Sequence, residues 1–126
     1  MLTLRPFADD DYPALAELYR LVWGEARSVD GLRAADADWP AGALRVRYVA
    51  EQDGAPVLIG GYSETPWAAA PDKYFLSCMV HPAHQGRGLG GAWFRQALGE
   101  LRGRGARLLT ATVRDDHPLA PGFLER

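Results

Sequence analysis

Between His81 and Gly91 the chain reads HPAHQGRGLGG, and Gly86, Gly88, Gly90 and Gly91 in that run carry no side chain. Such a segment at the start of a helix can turn several backbone N–H groups toward one guest. The helix dipole adds partial positive charge at the same place. The guest this chemistry suits is a diphosphate. Gln85 and Arg87 lie within the run and supply side-chain donors for the same oxygens. The competing reading is a turn whose glycines only let a strand and a helix pack closely. The buried strand expected before the loop and the amphipathic helix expected after it favour phosphate.

Gly86, Gly88 and Gly91 also spell G-x-G-x-x-G, and Asp115 follows the next expected strand, where a dinucleotide fold keeps its ribose acid. In that fingerprint the glycines follow the strand directly, whereas here His81–Gln85 intervene, and little chain remains for further strand–helix units. A nucleotide oxidoreductase is therefore disfavoured. A kinase glycine loop fares worse, because a strand should follow it and a helix is expected here; no G-x-x-x-x-G-K-[ST] run is present. Other candidates for chemistry are few. His81 and His84 flank Pro82 as turn residues, and with Cys78 as the only thiol they make no zinc set. Cys78 reads as a small core residue. His117 reads as a helix cap or a cofactor contact, and Trp39 and Trp67 as loop residues walling a pocket or covering the core.

The elements that must hold this loop follow from periodicity. Leu2–Phe7 alternates as a short strand. Asp9, Asp10 and Asp11 before Pro13 mark a helix start, and Leu15, Leu18, Tyr19 and Val22 carry that helix to about Trp23. A short helix is expected over Val29–Ala37. Leu44–Glu51 (LRVRYVAE) places Leu44, Val46, Tyr48 and Ala50 on one face, and Gln52-Asp53-Gly54 turns it into a partner strand over Val57–Tyr62. Lys73–Val80 is nearly continuous in apolar residues, as a strand covered on both faces requires. A helix from about Gly88 to Arg102 carries a stripe of Leu89, Trp93, Ala97 and Leu101, widened by Phe94 and Leu98. Arg107–Val113 is another buried strand, and Pro118 opens a last helix. The fold class is α/β, a mixed sheet with helices on both faces, with a parallel crossover from Lys73 to Val113 and antiparallel strands before it.

At 126 residues the chain is one domain. Its formal net charge of −2 gives no support to a nucleic-acid or anionic-membrane partner. The single cysteine fits a reducing compartment, and no signal or membrane-spanning pattern is present, so the expected setting is cytoplasmic.

Val80-His81-Pro82 followed by Gln85-Gly86-Arg87-Gly88-Leu89-Gly90 resembles the acyl-CoA signature of the GNAT superfamily of N-acetyltransferases, placed just after the central strand. Leu2–Phe7 resembles that family's opening strand, Arg107–Val113 its fifth, and Pro118 to Arg126 the helix after it. The resemblance implies that the amides of Gln85–Gly90, with Gly91, hold the pyrophosphate of acetyl-CoA. It implies that backbone groups of Met79 and Val80 pair with the pantetheine arm as with a strand. The thioester would then lie between the Lys73–Val80 and Arg107–Val113 strands, with an N–H near Cys78–Val80 polarising its carbonyl.

The activity implied is acetyl transfer to a primary amine of a small molecule or peptide; the alternative is a non-catalytic acyl-CoA-binding module, one half of a tandem protein. The chain departs from the pattern twice: Tyr74 stands where some members carry a glutamate base, and Leu124 where many carry a tyrosine acid. Base catalysis through water then leaves Glu64 and Tyr74 to be tested, against readings of Glu64 as a strand-end charge and Tyr74 as core. Asp36, Asp38 and Glu64 are the carboxylates available to an amine acceptor. The family's closing strands are not found before Arg126, so the domain is expected to be part of a longer protein, or to pair its 107–113 edge in a homodimer.

Overall fold

The computed structural model describes residues 3–40, 42–64, 73–103 and 108–114. They run as β1 (Leu4–Pro6), α1 (Tyr12–Leu18), α2 (Val29–Ala37), β2 (Arg45–Gln52), β3 (Ala55–Glu64), β4 (Lys73–Val80), α3 (Leu89–Gly103) and β5 (Leu108–Arg114). The sheet order is β1-β2-β3-β4-β5, antiparallel up to β4 and parallel between β4 and β5. The expected mixed sheet is present. The β2–β3 hairpin turns through Asp53 (φ 55°) and Gly54 (φ 80°), the left-handed pair whose twist matches the strands.

The alternation in LRVRYVAE decides which layer each face of β2 meets. Leu44, Val46, Tyr48 and Ala50 pack toward α3, whose Trp93, Phe94, Ala97 and Leu101 are 1% exposed or less. Burial of each large apolar side chain there contributes about 1.5–3 kcal/mol. Val49, Ile59 and Met79 on the other face meet Leu15, Leu18, Val22 and Leu32 from the N-terminal helices. Trp93 fits because Gly60 has no Cβ; one would come within 2.6 Å of the indole. Further along α3, Glu100 accepts the hydroxyls of Tyr48 (3.2 Å) and Tyr62 (2.5 Å). These bonds tie the helix to β2 and β3 with the polar groups satisfied.

The aspartates before α1 act differently from the expected cap. Asp9–Asp11 form a 3-10 turn, and none of them caps α1 with its side chain. Asp11, 4% exposed, instead accepts from both terminal nitrogens of the Arg5 guanidinium at 2.7 Å and from the Ala8 N–H at 2.8 Å, clamping β1 to the helix. Asp9 reaches Arg33 on α2. The last turn of the first helix widens to π geometry over Tyr19–Trp23. The helix expected from Pro118 lies outside the described residues.

Candidate functional site

β4 ends at Val80, and a 3-10 turn over Pro82–His84 fills the offset before the first glycine. His81 N–H donates to the Val57 carbonyl (2.8 Å) and His84 N–H to that of His81 (2.8 Å), fixing how the loop leaves the sheet. Gly86 and Gly88 both have φ of 80°, and a Cβ at either would meet open space. Backbone conformation, not crowding, therefore requires glycine there. The space beside them is what a ligand would fill.

The first bond within α3 runs from Ala92 N–H to Gly88 O at 3.0 Å, so the amides ahead of it have no acceptor in the helix. The first turn holds no acidic residue. Arg87 lies beside the His84 ring at 3.2 Å. Arg95 comes within 3.5 Å of where a Cβ on Gly91 would stand, which brings a second cation to the helix start. Arg95 escaped the sequence reading, although four residues from Gly91 is the spacing that puts it over the first turn. Leu89 packs against the α3-side core and anchors the loop, and Gly90 is buried. The residues present fit a diphosphate.

One expected contact has a second role and another is placed otherwise. Gln85 Nε2 donates to the Val80 carbonyl at 3.0 Å, so that side chain also braces the strand end. β4 and β5 keep one parallel register from Lys73↔Leu108 to Met79↔Arg114. Strands in a ladder stand about 4.8 Å apart, which leaves no gap for an acyl arm along that span. Met79 has Arg114 beside it, so an arm pairing as a strand meets Val80 first.

On the opposite face from α3 lies a cleft of about 260 Å³. Ser77 and Met79 of β4 and Gly61 and Ser63 of β3 form its floor, Tyr19 and Trp23 of the π turn overhang it, and Trp39, Arg45 and Arg47 flank it. Arg47, Gly61 and Ser77 stand in one row across β2, β3 and β4. A Cβ on Gly61 would come within 2.7 Å of Val46 O, so the row keeps a bare floor between arginine and serine. Among the described residues lining the cleft there is no carboxylate and no imidazole.

Two of the three carboxylates expected to serve an amine, Asp36 and Glu64, are used elsewhere. Asp36 Oδ2 accepts the Tyr12 hydroxyl (2.5 Å) and Arg47 Nη1 (2.9 Å), and Oδ1 lies 2.7 Å from Arg45 Nη1. Burial pushes the Asp36 carboxyl up, but the bonds from Arg47 and Tyr12 and both guanidinium charges outweigh it and hold it below the usual range. The same bond raises Tyr12. Glu64 exchanges two bonds with Leu44, its Oε1 taking the N–H at 2.6 Å and its own N–H reaching the carbonyl at 3.0 Å. It closes the end of the hairpin.

Tyr74, 6% exposed, belongs to the core on the α3 side, away from the cleft. The core reading thus describes Tyr74, and the strand-end reading Glu64. Trp39 does flank the cleft, with Arg45 stacked on it at 4.9 Å. Trp67 and His117 lie outside the described residues. Among the described residues no three of His, Cys, Asp and Glu are grouped to hold a metal ion, and no helix is long and apolar enough to cross a membrane.

A family model described as the acetyltransferase (GNAT) family matches residues 12–126. No curated protein matches the sequence. Among solved structures, a GNAT family acetyltransferase from Brucella melitensis in complex with acetyl-CoA is 29% identical, with a TM-score of 0.67, 98% of this chain covered and 81% of that one. The Staphylococcus aureus Mu50 N-acetyltransferase is 15% identical, with a TM-score of 0.73 and coverages of 99% and 79%. The ribosomal-protein-S18-alanine N-acetyltransferase from Escherichia coli is 21% identical, with a TM-score of 0.69 and coverages of 99% and 75%. The last two, at this identity, bear on the fold alone.

Proposed function

The chain belongs to the GNAT family of acetyltransferases, and from that premise we propose that it transfers the acetyl group of acetyl-CoA to a primary amine of a small molecule or peptide. The observation that carries the reading is the glycine loop. Gly86 and Gly88 hold left-handed backbone beside open space at the start of α3, with Arg87 and Arg95 adding positive charge. Bound there, acetyl-CoA supplies an acyl group already activated as a thioester. The amides of Gly86–Gly91 and the two arginines take the diphosphate, Gln85 keeps the end of β4 in place, and Val80 meets the arm. The cleft over Ser77 and Gly61 orients the acceptor. With no carboxylate or imidazole among its described lining residues, the ammonium proton leaves to water and the neutral amine attacks the thioester carbon. The C–S bond then breaks, and coenzyme A departs as the thiol, its proton coming from the acylated nitrogen through water.

The same observation favours the second reading, a non-catalytic acyl-CoA-binding module. Titration calorimetry with acetyl-CoA and a thiol-release assay over an amine panel separate the two. Binding with turnover supports the transferase, binding alone the module, and no binding rejects both. Pairing of the β5 edge with a further strand, in a homodimer or a longer protein, belongs to the same proposal. So does a cytoplasmic setting, which rests on the lone buried thiol of Cys78.

A further inference from the structure

The geometry points to an acceptor that carries an anionic group beside its amine, held by Arg45 and Arg47 at the flank of the cleft; the inference rests on the transferase reading of that cleft. Arg45 and Arg47 alternate with Val46 and Tyr48, so both project to the face where the cleft lies. Their side chains are 29% and 17% exposed, and Asp36 is the carboxylate set between them. Among the described residues one negative charge faces two positive ones, and the Tyr12 hydroxyl takes up part of that carboxylate. Glu64 does not restore the balance, because the Leu44 N–H holds its carboxylate at the strand end.

A surplus cation in a half-buried cleft is uncomfortable without a counter-ion, and the penalty shrinks when an anion arrives. Trp39 and Phe7 stack on the two guanidiniums, leaving their planes fixed and their edges as the donors. A fixed planar fork suits a carboxylate or a phosphonate. The row Arg47–Gly61–Ser77 spans two strand spacings, about 10 Å, over a floor that Gly61 leaves bare. A compact acceptor that carries both groups, such as an α-amino acid, sits over that floor with its anionic end at the arginines and its amine on the side of β4. The cleft also disfavours polyamines and other purely cationic acceptors.

Binding is read separately from turnover. With coenzyme A present, the N-acetyl derivatives of alanine, methionine and phenylalanine are titrated against the primary amides of the same compounds, using the whole protein. The carboxylates are expected to bind at least about tenfold more tightly. Arg45→Gln should cut that ratio about tenfold, whereas Asp36→Asn, which leaves both guanidiniums uncompensated, should preserve or raise it. If the arginines only anchor α2, both variants lower the melting temperature and the ratio stays put, which overturns the inference. Equal binding of acids and amides, binding of neither, or a preference for polyamines overturns it as well. Carboxylate binding without thiol release from any amino acid leaves the anion site at the arginines standing but rejects the transferase reading, and with it the role of that anion as part of an acceptor. Turnover of neutral amines with no acid preference does the reverse.

Discussion

Trp93 donates its indole N–H to the backbone carbonyl of Ser77 at 3.0 Å, a helix side chain bonded to the strand that floors the cleft. The ring reaches that carbonyl because it lies over Gly60, between Tyr48 and Tyr62. The helix that begins at the glycine loop and the floor of the cleft are thus one packed unit.

Gly60→Ala should destabilise the fold by about 1–3 kcal/mol, since a methyl 2.6 Å from a fully buried indole forces helix and sheet apart. Trp93→Phe should cost a similar amount, by loss of the bond to Ser77 and the void left behind. Urea denaturation of both variants measures this. A midpoint unchanged in either would contradict the packing described.

Gly86→Ala and Gly88→Ala each place a side chain at φ 80° and should cost about 1–2 kcal/mol of loop conformation. Acetyl-CoA affinity should fall about tenfold in each, read by calorimetry. Gly99→Ala is the contrast. That glycine is helical with open space around it, so alanine there should stabilise by about 0.5–1 kcal/mol and leave affinity alone. Arg95→Ala should weaken acetyl-CoA binding more at low salt than at high salt, as a screened charge contact does.

The pH dependence of the reaction should report the acceptor and not the protein. With no carboxylate or imidazole among the described residues lining the cleft, log kcat/KM should rise with unit slope up to the pKa of the acceptor amine. Two amines of different pKa should displace the profile by the difference between them. A fixed limb near pH 6–7 with every acceptor would reveal a base in the protein instead.

Acid stability should track two aspartates. The Arg5 hydrogen bond, helped by the Ala8 N–H, outweighs burial and holds Asp11 below its usual range, and Asp36 is lowered as well. A depressed carboxyl stabilises the fold above its unfolded pKa of about 3.9, and that contribution is lost as pH falls through the folded value. Stability should therefore be level near neutrality and drop below about pH 4. Asp11→Asn should lower the neutral plateau by about 1.5–3 kcal/mol and flatten the acid limb. Denaturation in urea from pH 3 to pH 7 checks both parts.

Much of this protein is written locally in its chain. Alternation in LRVRYVAE, the Asp53-Gly54 turn, the apolar run of Lys73–Val80 and the 3.6-residue stripe of α3 each depend on neighbours a few positions away. Strand and helix boundaries therefore came out within a few residues, and the glycine loop was visible for the same reason. The faces of β2 were legible too, yet Arg45 and Arg47 went unremarked, although two arginines on a face that helices must cover ask for a counter-charge.

What only the tertiary structure decided was which polar groups meet across the sheet. Asp36 was open to serving an amine until the packing of α2 against β2 gave it to two arginines and a tyrosine 24 residues away. Glu64 and Tyr74 could be weighed as bases until pairing gave one to Leu44 and burial put the other behind the sheet. Such assignments depend on distances between residues remote in the chain, and short-range periodicity carries no information about those. The sign of the charge flanking the cleft was therefore beyond the sequence, while the glycine loop at the start of α3 was within it.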